Sequence, residues 1–206
     1  MIRFALALAA LAPTALSAQA PAAALPAPAP KPATAHVSLV TSEGPILLEL
    51  EKERAPVTTA NFLRYVAARR LDGITFYRAV KVQQGYGLVQ GGLRNDPKRV
   101  YPNIAHEPTT TTGLSHTDGA ISMARAAPGS ASADFFIVVG GFPTMDADPK
   151  LPGDNLGFAV FGHVVQGMDV VRGILDAPTS ATDGPAAMKG QMLVQPVRIL
   201  TARVVD

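Results

Sequence analysis

The chain of 206 residues contains neither cysteine nor tryptophan. Without cysteine it can form no disulfide, no thiolate nucleophile and no thiolate-bound zinc site, and it offers no acceptor for a bacterial lipid anchor. Its four histidines include no pair three or four positions apart, the spacing at which a helix presents two zinc ligands. We therefore expect no bound metal ion.

Several other catalytic motifs are absent too. The sequence has no Gly-x-Ser-x-Gly elbow and no glycine-rich phosphate loop. Asp146, Asp148 and Asp154 share one loop but lack the spacing of an EF-hand, so we interpret them as a solvated loop. The chain is expected to need no cofactor and to act through shape and hydrogen bonding.

Charge is sparse as well. Only 17% of the residues are charged, and the formal net charge is +2. No run of Lys and Arg is interleaved with aromatic residues, so nucleic acid is not expected as a partner. The apolar runs are too short to cross a bilayer as a helix, so no membrane span is expected.

The first 20 residues have the pattern of a secretory signal peptide. Arg3 precedes a short apolar run over residues 4–12, and Ala18-Gln19-Ala20 provides a small-residue cleavage site. The alternative is an uncleaved N-terminal anchor. We expect an exported protein, located in the periplasm or secreted.

Residues 21–35 contain five Pro and seven Ala among fifteen positions. Such a segment cannot bury an apolar face and favours an extended, polyproline-like path. We interpret it as a linker, with a proline-rich docking ligand as the alternative. The folded domain is then expected to cover residues 36–206.

The pattern from residue 36 onward predicts a mainly β domain. Apolar runs predict eight strands, and segments 55–73 and 168–174 have the periodicity and end signals of helices. Because strands and helices do not alternate, the pattern favours an antiparallel sheet closed on itself, with a sandwich as the alternative. The predicted strands are 36–40, 46–50, 74–80, 88–90, 120–124, 135–139, 158–165 and 194–205.

Arg78 occupies an unusual place for a charged residue. It lies within a predicted strand, between the aromatic pair Phe76 and Tyr77 and the apolar pair Ala79 and Val80. The period of two predicts that Phe76, Arg78 and Val80 share one face. Because Arg is rarely buried without a partner, Arg78 pairs with a carboxylate at a barrel rim, faces solvent, or serves a function.

Several segments, in order, resemble the cyclophilin family of peptidyl-prolyl isomerases. The resemblance covers nearly all of residues 36–206. It implies a closed eight-stranded antiparallel β-barrel capped by two α-helices, no cofactor, and activity on the X–Pro bonds of proline-containing polypeptides. We expect a monomer. The matching segments are FYRAV (76–80), LVQGG (88–92), SMARAAP (122–128), SADFFI (132–137), FGHVVQGMDVV (161–171), and residues 56–62 and 188–191.

The resemblance also implies roles for individual residues. Arg78 is the implied catalytic residue, because a guanidinium donates hydrogen bonds to a twisted amide without titrating. For the apolar members of the set, plain core packing is the alternative. The implied substrate-binding residues are Gln90, which orients the substrate backbone; Leu88, Phe136, Phe158 and Met145 around the proline ring; Ala124 and Arg125 at a strand edge; and Tyr77 and Asp134.

Four positions depart from the family pattern. Tyr77 stands where His is usual, Arg125 where Asn is common and Asp134 where Gln is common. Gly87 falls where an aromatic residue usually lines the pocket, although Tyr86 is able to take that place. If Tyr86 does not already fill this place, a phenylalanine at position 87 is expected to improve peptide binding.

Three hypotheses about function remain at this point. The leading one is a prolyl isomerase that assists the folding of exported proteins. The alternative is a proline-peptide-binding chaperone with little or no turnover, which the missing side chain at Gly87 favours. The third is a barrel that carries a small ligand, as lipocalins do.

The cleavage site makes a prediction about the exported protein. Cleavage after Ala20 leaves Pro21 as the first residue of the mature chain, which mass spectrometry of the exported fraction measures. An Ala18→Arg variant, which loses the small-residue site, should keep its N-terminus. An intact Met1 in the unmodified exported protein would contradict the prediction.

Overall fold

A computed structural model describes residues 32–205 of the chain. The predicted signal peptide, residues 1–20, and residues 21–31 of the predicted linker lie outside the described residues. No helix in the described part is long and apolar enough to cross a membrane. The strands are β1 (Thr34–Thr41), β2 (Gly44–Glu51), β3 (Thr75–Gln83), β4 (Tyr86–Gly92), β5 (Ala120–Met123), β6 (Phe135–Val139), β7 (Ala159–Gln166), β8 (Thr179–Ser180) and β9 (Met192–Val205).

All eight predicted strands are present, and the structure adds short elements that the sequence pattern did not indicate. Strand β8 has two residues and helix α2 has four. Strand β1 begins at Thr34, two positions before the predicted start of the domain. The helices are α1 (Pro56–Ala67), α2 (Thr109–Thr112) and α3 (Met168–Asp176), and 3-10 turns cover Pro143–Met145 and Ala186–Met188.

Helix α1 is shorter than predicted. It ends at Ala67, whereas the sequence pattern continued to residue 73. Arg69 has a positive φ of 53°, which interrupts the helical path. The side chain of Arg70 then donates to the carbonyl of Arg99 at 2.5 Å. The tertiary contact of Arg70 outweighs its local helix preference.

The strands form one antiparallel sheet that closes on itself. Around the barrel the order is β1-β2-β7-β5-β6-β4-β3-β9, and the pairing of β9 with β1 completes the circle. Strand β8 pairs with β9 as an additional strand. The predicted closed eight-stranded antiparallel β-barrel is therefore confirmed, with α1 and α3 as the two predicted helices.

The barrel interior is filled with apolar side chains. Alternate residues of each strand point inward, and the largest fully buried ones include Leu39, Phe76, Phe135 and Phe161. Helix α1 adds Phe62, whose ring lies 5.4 Å from that of Phe135 and 5.3 Å from that of Phe161. An interior filled in this way does not fit the hypothesis of a ligand-carrying barrel.

A β-bulge in β3 determines which of its residues face outward. Phe76 and Arg78 lie opposite consecutive residues of β4, so Tyr77 is an extra residue on the β3 side. The bulge reverses the alternation after Phe76. Phe76 belongs to the interior core, whereas Arg78 lies on the outer face of the barrel. The prediction that Phe76 shares a face with Arg78 and Val80 is therefore wrong.

The first turn of α1 is capped by a residue from a distant loop. Its own N-terminal residue, Ala55, provides no side-chain cap. One oxygen of Glu107 accepts the N–H of Val57 at 3.1 Å, and the other accepts the N–H of Thr58 at 2.7 Å and its hydroxyl at 2.6 Å. The carboxylate thus satisfies free N–H groups and lies at the positive end of the helix dipole.

We expect Glu107→Ala to lower the free energy of unfolding by about 1–2 kcal/mol, the usual cost of losing an N-terminal cap. Urea unfolding measures this difference. Glu43→Ala, which removes an exposed carboxylate from the β1–β2 turn, is the control and should cost less than about 0.5 kcal/mol. Equal stability of the two variants would contradict the capping role of Glu107.

Candidate active site

A row of side chains crosses four neighbouring strands on the outer face of the barrel. Arg78 lies opposite Gln90, Gln90 opposite Phe136, and Phe136 opposite Ser122. Residues directly opposite each other on paired strands point to the same face. The row therefore brings a guanidinium, an amide and an aromatic ring together, although they are far apart in the sequence.

Two glutamine side chains fix the guanidinium of Arg78. Gln191 Oε1 accepts from Arg78 Nε at 2.8 Å and from Nη2 at 2.5 Å. Gln90 Oε1 accepts from Nη1 at 2.8 Å. Burial lowers the pKa of Arg78 from its ordinary value, yet an arginine keeps its charge in proteins. The partners of Arg78 are therefore two neutral amides, and not the carboxylate that was one of the three alternatives from the sequence.

The amide of Gln90 is held at its other end by Tyr77. Gln90 Nε2 donates to the Tyr77 hydroxyl at 2.7 Å. Burial raises the pKa of Tyr77, so its phenol is protonated at neutral pH. The guanidinium of Arg94 lies over the Tyr77 ring, 4.5 Å from its centroid. Tyr77 thus fixes the orientation of Gln90, and through it one side of Arg78.

An apolar cluster lies beside this polar row. It is distinct from the interior core, which contains Phe135 and Ile137 on the opposite side of the same strand. The rings of Phe136 and Phe158 meet edge to face, with their centroids 5.4 Å apart. The predicted wall residues therefore form one cluster on the outer face. Its members are Leu88, Phe136 and Val138, with Val80, Ala124, Phe142, Met145 and Phe158 packed against them.

A cleft of about 940 Å³ adjoins the cluster, and Ala124 belongs to both. The structure thus brings all of the predicted site residues into the polar row, the apolar cluster or this cleft. Among the cleft residues, Arg94 and the segment 183–188 had no predicted role. The side chains named from sequence that line the cleft are Tyr77, Gln90, Ala124, Arg125 and Asp134.

Arg125 is committed to a neighbouring loop. Its Nη1 and Nη2 each donate to one oxygen of Asp154 at 2.9 Å, and its Nε donates to the Gly157 carbonyl at 2.8 Å. The guanidinium lies 5.2 Å from the centroid of the Phe158 ring. The hydrogen bonds from Arg125 lower the pKa of Asp154 to about 2. Arg125 therefore anchors the loop that precedes Phe158.

Asp134 is committed to a second loop. Its two carboxylate oxygens accept the backbone N–H groups of Arg94 at 2.9 Å and Asn95 at 3.2 Å. Burial raises the pKa of Asp134, and these two N–H groups oppose that effect. Asp134 therefore holds the turn that carries Arg94 over the Tyr77 ring.

Comparison with known proteins agrees with this geometry. A family model described as "Cyclophilin type peptidyl-prolyl cis-trans isomerase/CLD" matches residues 36–204. The chain belongs to this cyclophilin family. The resemblance seen in the sequence is thereby confirmed.

Individual relatives support the same conclusion. A peptidyl-prolyl cis-trans isomerase of Acinetobacter baylyi is 31% identical over 173 residues, covering 84% of this chain and 86% of the relative. One from Streptomyces antibioticus is 34% identical over 169 residues, covering 82% of this chain and 97% of the relative. This cyclophilin is a peptidyl-prolyl cis-trans isomerase, and its substrates are proline-containing polypeptides.

A solved structure has the same fold. A cyclophilin type peptidyl-prolyl cis-trans isomerase of Cryptosporidium parvum, crystallised in the presence of the dipeptide Ala-Pro, has a TM-score of 0.63 to this chain. The two are 19% identical, and the likeness covers 83% of this chain and 99% of that one. At this identity the likeness supports the barrel architecture alone.

Gln191 is a site residue to which the sequence assigned no role. It lies within the matching segment 188–191, but it is 113 positions from Arg78 and precedes β9. No periodic pattern relates the two residues. Their contact follows from the pairing of β3 with β9, in which Arg78 lies opposite Met192.

One group of potential metal ligands is brought together on the outer face. Ligand atoms of Glu49, Glu51 and His163 lie within 4.8 Å of one another, because β2 and β7 are paired. The sequence spacing had suggested no such group. Arg54 already donates to both oxygens of Glu51, so we assign no metal ion to this cluster.

Gly87 does not leave a gap in the apolar wall. A Cβ at this position would lie 2.1 Å from the Val80 carbonyl oxygen and 2.8 Å from Leu175 Cδ1. A side chain there would point toward the interior core. Tyr86 instead stacks on Phe142, with ring centroids 4.3 Å apart. The condition for an improving phenylalanine at position 87 is therefore not met, because Tyr86 provides the ring and the backbone leaves no space at position 87.

We expect Gly87→Ala to destabilise the barrel by about 1–3 kcal/mol, the usual cost of forcing extra volume into a packed site. Thermal unfolding measures the loss. Gly173→Ala is the matched control, because a Cβ there has no neighbour within 4 Å and alanine favours the helix. If Gly87→Ala and the wild type had the same melting temperature, β3 and β4 would be able to move apart without loss of stability, contrary to this prediction.

Proposed function

We propose that this cyclophilin isomerises X–Pro bonds by holding the proline ring against the apolar cluster while Arg78 stabilises the twisted amide. The observation that carries this proposal is the outer-face row, in which a fixed guanidinium lies two strands from Phe136. The apolar cluster and the Arg78 guanidinium are therefore both within reach of one X–Pro unit of the substrate.

The reaction requires little chemistry from the protein. Rotation about an X–Pro bond is opposed by amide resonance, with a barrier of about 18–20 kcal/mol. As the bond twists, the nitrogen loses its conjugation and becomes a better hydrogen-bond acceptor. A donor held where that nitrogen develops its lone pair lowers the barrier without making or breaking a covalent bond.

Arg78 is suited to this role because its geometry is already fixed. Of the five N–H groups of a guanidinium, three are used by Gln191 and Gln90. Two remain, and the side chain is only partly buried. Since both glutamines hold the plane of the group, little reorganisation is needed when the amide twists.

The remaining site residues position the peptide in this proposal. Phe136, Phe158 and Met145 contact the proline ring. The N–H of Ala124 is taken by the Asp134 carbonyl at 2.9 Å, so pairing with substrate at this residue uses the Ala124 carbonyl. Gln90 orients the substrate backbone with the second hydrogen of its Nε2 amide.

The cellular role is proposed from the sequence. The pattern of residues 1–20 supports export, and the Pro/Ala-rich segment that follows supports a linker to the catalytic domain. We propose that the enzyme acts as a monomer, without a cofactor, on the X–Pro bonds of proteins folding in the periplasm or outside the cell. Uncatalysed isomerisation takes tens to hundreds of seconds, slow enough to limit folding.

We expect Arg78→Ala to lower kcat/KM by about 10²–10³, the usual loss for one preorganised donor. A protease-coupled assay on an Ala-Pro peptide measures this. Arg78→Lys should restore only part of the activity, because an ammonium lacks the planar fork that two glutamines hold. Arg172→Ala, which removes an exposed arginine of α3, is the control and should leave kcat/KM unchanged.

Unchanged turnover in a folded Arg78→Ala protein would refute the mechanism. A wild-type protein that binds proline peptides without accelerating their isomerisation would favour the chaperone alternative.

A further inference from the structure

His116 lies directly behind the apolar cluster and is not used by the proposed mechanism. It is fully buried, and it precedes β5 by a few residues. A buried imidazole requires partners for both ring nitrogens, since an unpaired polar group in the interior is costly. The positions of those partners indicate what the ring does.

One side of His116 binds the turn that carries Met145. Its Nδ1 lies 2.5 Å from Asp146 Oδ1, and its backbone N–H donates to the same oxygen at 3.0 Å. The N–H of Phe142 donates to the His116 carbonyl at 2.6 Å. The 3-10 turn Pro143–Met145 is therefore fixed to His116 at both of its ends.

The other side of His116 binds β5, whose Ser122 is the last member of the outer-face row. Its Nε2 lies 3.0 Å from Ser122 Oγ, and Ser122 lies opposite Phe136. The imidazole is nearly parallel to the Phe136 ring, with centroids 5.9 Å apart and planes at 8°. Its edge meets the Phe158 ring at 6.5 Å and 86°. His116 thus contacts the rings of Phe136 and Phe158.

We propose that His116 is a positioning residue that holds Phe136, Phe158 and the Met145 turn in the arrangement that binds the proline ring. This inference rests on the proposed function, because it assigns the proline ring to that cluster. His116 itself lies behind the wall and makes no contact with substrate.

The surroundings of the ring favour its neutral form. Burial lowers the pKa of His116, and the carboxylate of Asp146 opposes this effect. The groups in contact with it from β5, β6 and the segment before β7 are Ser122, Phe136 and Phe158, all uncharged. The geometry therefore assigns the proton to Nδ1, which donates to Asp146, while Nε2 accepts from the Ser122 hydroxyl.

Steady-state kinetics with a proline peptide test the role. His116→Leu fills much of the same volume but contacts neither Asp146 nor Ser122, so we expect KM to rise by about tenfold while kcat changes less. His116→Asn retains a donor near the position of Nδ1 and should restore part of the affinity. His36→Ala, on β1 away from the cluster, is the control.

Two milder variants keep the test decisive if the His116 variants fold poorly. Asp146→Ala and Ser122→Ala each remove one partner of the ring, and both should raise KM without an equal loss of kcat. Unchanged KM in folded His116→Leu and in both partner variants would overturn the positioning role. A fall in kcat with unchanged KM in these variants would overturn it as well.

A further variant separates this inference from the function on which it rests. Phe136→Ala should raise KM if the cluster binds the proline ring. If Phe136→Ala leaves KM unchanged, the proposed pocket is wrong and the role of His116 falls with it. If Phe136→Ala raises KM and the His116 variants do not, only the positioning role is wrong.

The neutral ring also predicts a pH dependence of stability. Because the pKa of His116 is lower in the folded protein than its ordinary value of 6.5, the unfolded chain binds the proton more readily. The contribution of the His116 ring to stability is therefore fully present above pH 6.5 and is lost as the pH decreases toward the lowered pKa. Urea unfolding at pH 8 and pH 5 should show a smaller decrease for His116→Asn. An equal decrease in both proteins would refute a neutral buried ring.

Discussion

The filled interior of the barrel is the constraint on which the arrangement of this enzyme depends. Since the inward positions are occupied by packed apolar side chains such as Phe76 and Phe135, functional groups have to be displayed on the outer face. Each strand contributes to the core and to the site at alternate positions. The neighbours Phe135 and Phe136 illustrate this, because the first packs in the core and the second in the outer cluster.

The bulge at Tyr77 allows Phe76 to pack in the core while Arg78, two positions later, lies on the outer face. In a regular strand, Arg78 would point inward with Phe76, and an unpaired guanidinium in the core would be strongly destabilising. The extra residue turns Arg78 outward and places it opposite Gln90. It also gives Tyr77 a position from which its hydroxyl accepts from the Gln90 amide. One backbone irregularity thus produces both the location and the support of the guanidinium.

The strands and the family were predictable because their signals are local. Apolar runs indicated all eight barrel strands, and the motif LVQGG singled out Gln90 and Leu88, which lie in the polar row and the apolar cluster. The bulge was not predictable, since no residue type near Tyr77 marks it. The contacts of Arg78 with Gln191, and of His116 with Asp146, depend on pairing between distant segments, which periodicity does not reveal.

Gly87 shows the opposite limit, in which a local signal misleads. The family pattern suggested a missing aromatic in the wall at this position, but the strand alternation directs position 87 toward the core. The aromatic contribution comes instead from Tyr86 stacked on Phe142, which packs against the outer cluster. Neighbouring residues on a strand point to opposite faces of the sheet. A sequence alignment that is shifted by one residue therefore assigns a core residue to the pocket and a pocket residue to the core.

The two charged residues that depart from the family pattern, Arg125 and Asp134, stabilise the loops beside the cleft. Arg125 forms a two-pronged pair with Asp154, and Asp134 accepts two backbone N–H groups. Each ionic group is thus matched by partners that belong to the protein, which fixes the loop on either side of the cleft. Next to the apolar wall, Arg78 keeps two free N–H groups and the Gln90 amide keeps one. The proposed mechanism needs one such donor at the twisting amide. Because Arg125 and Asp134 are already paired within the protein, they add little binding to the ground state of the substrate.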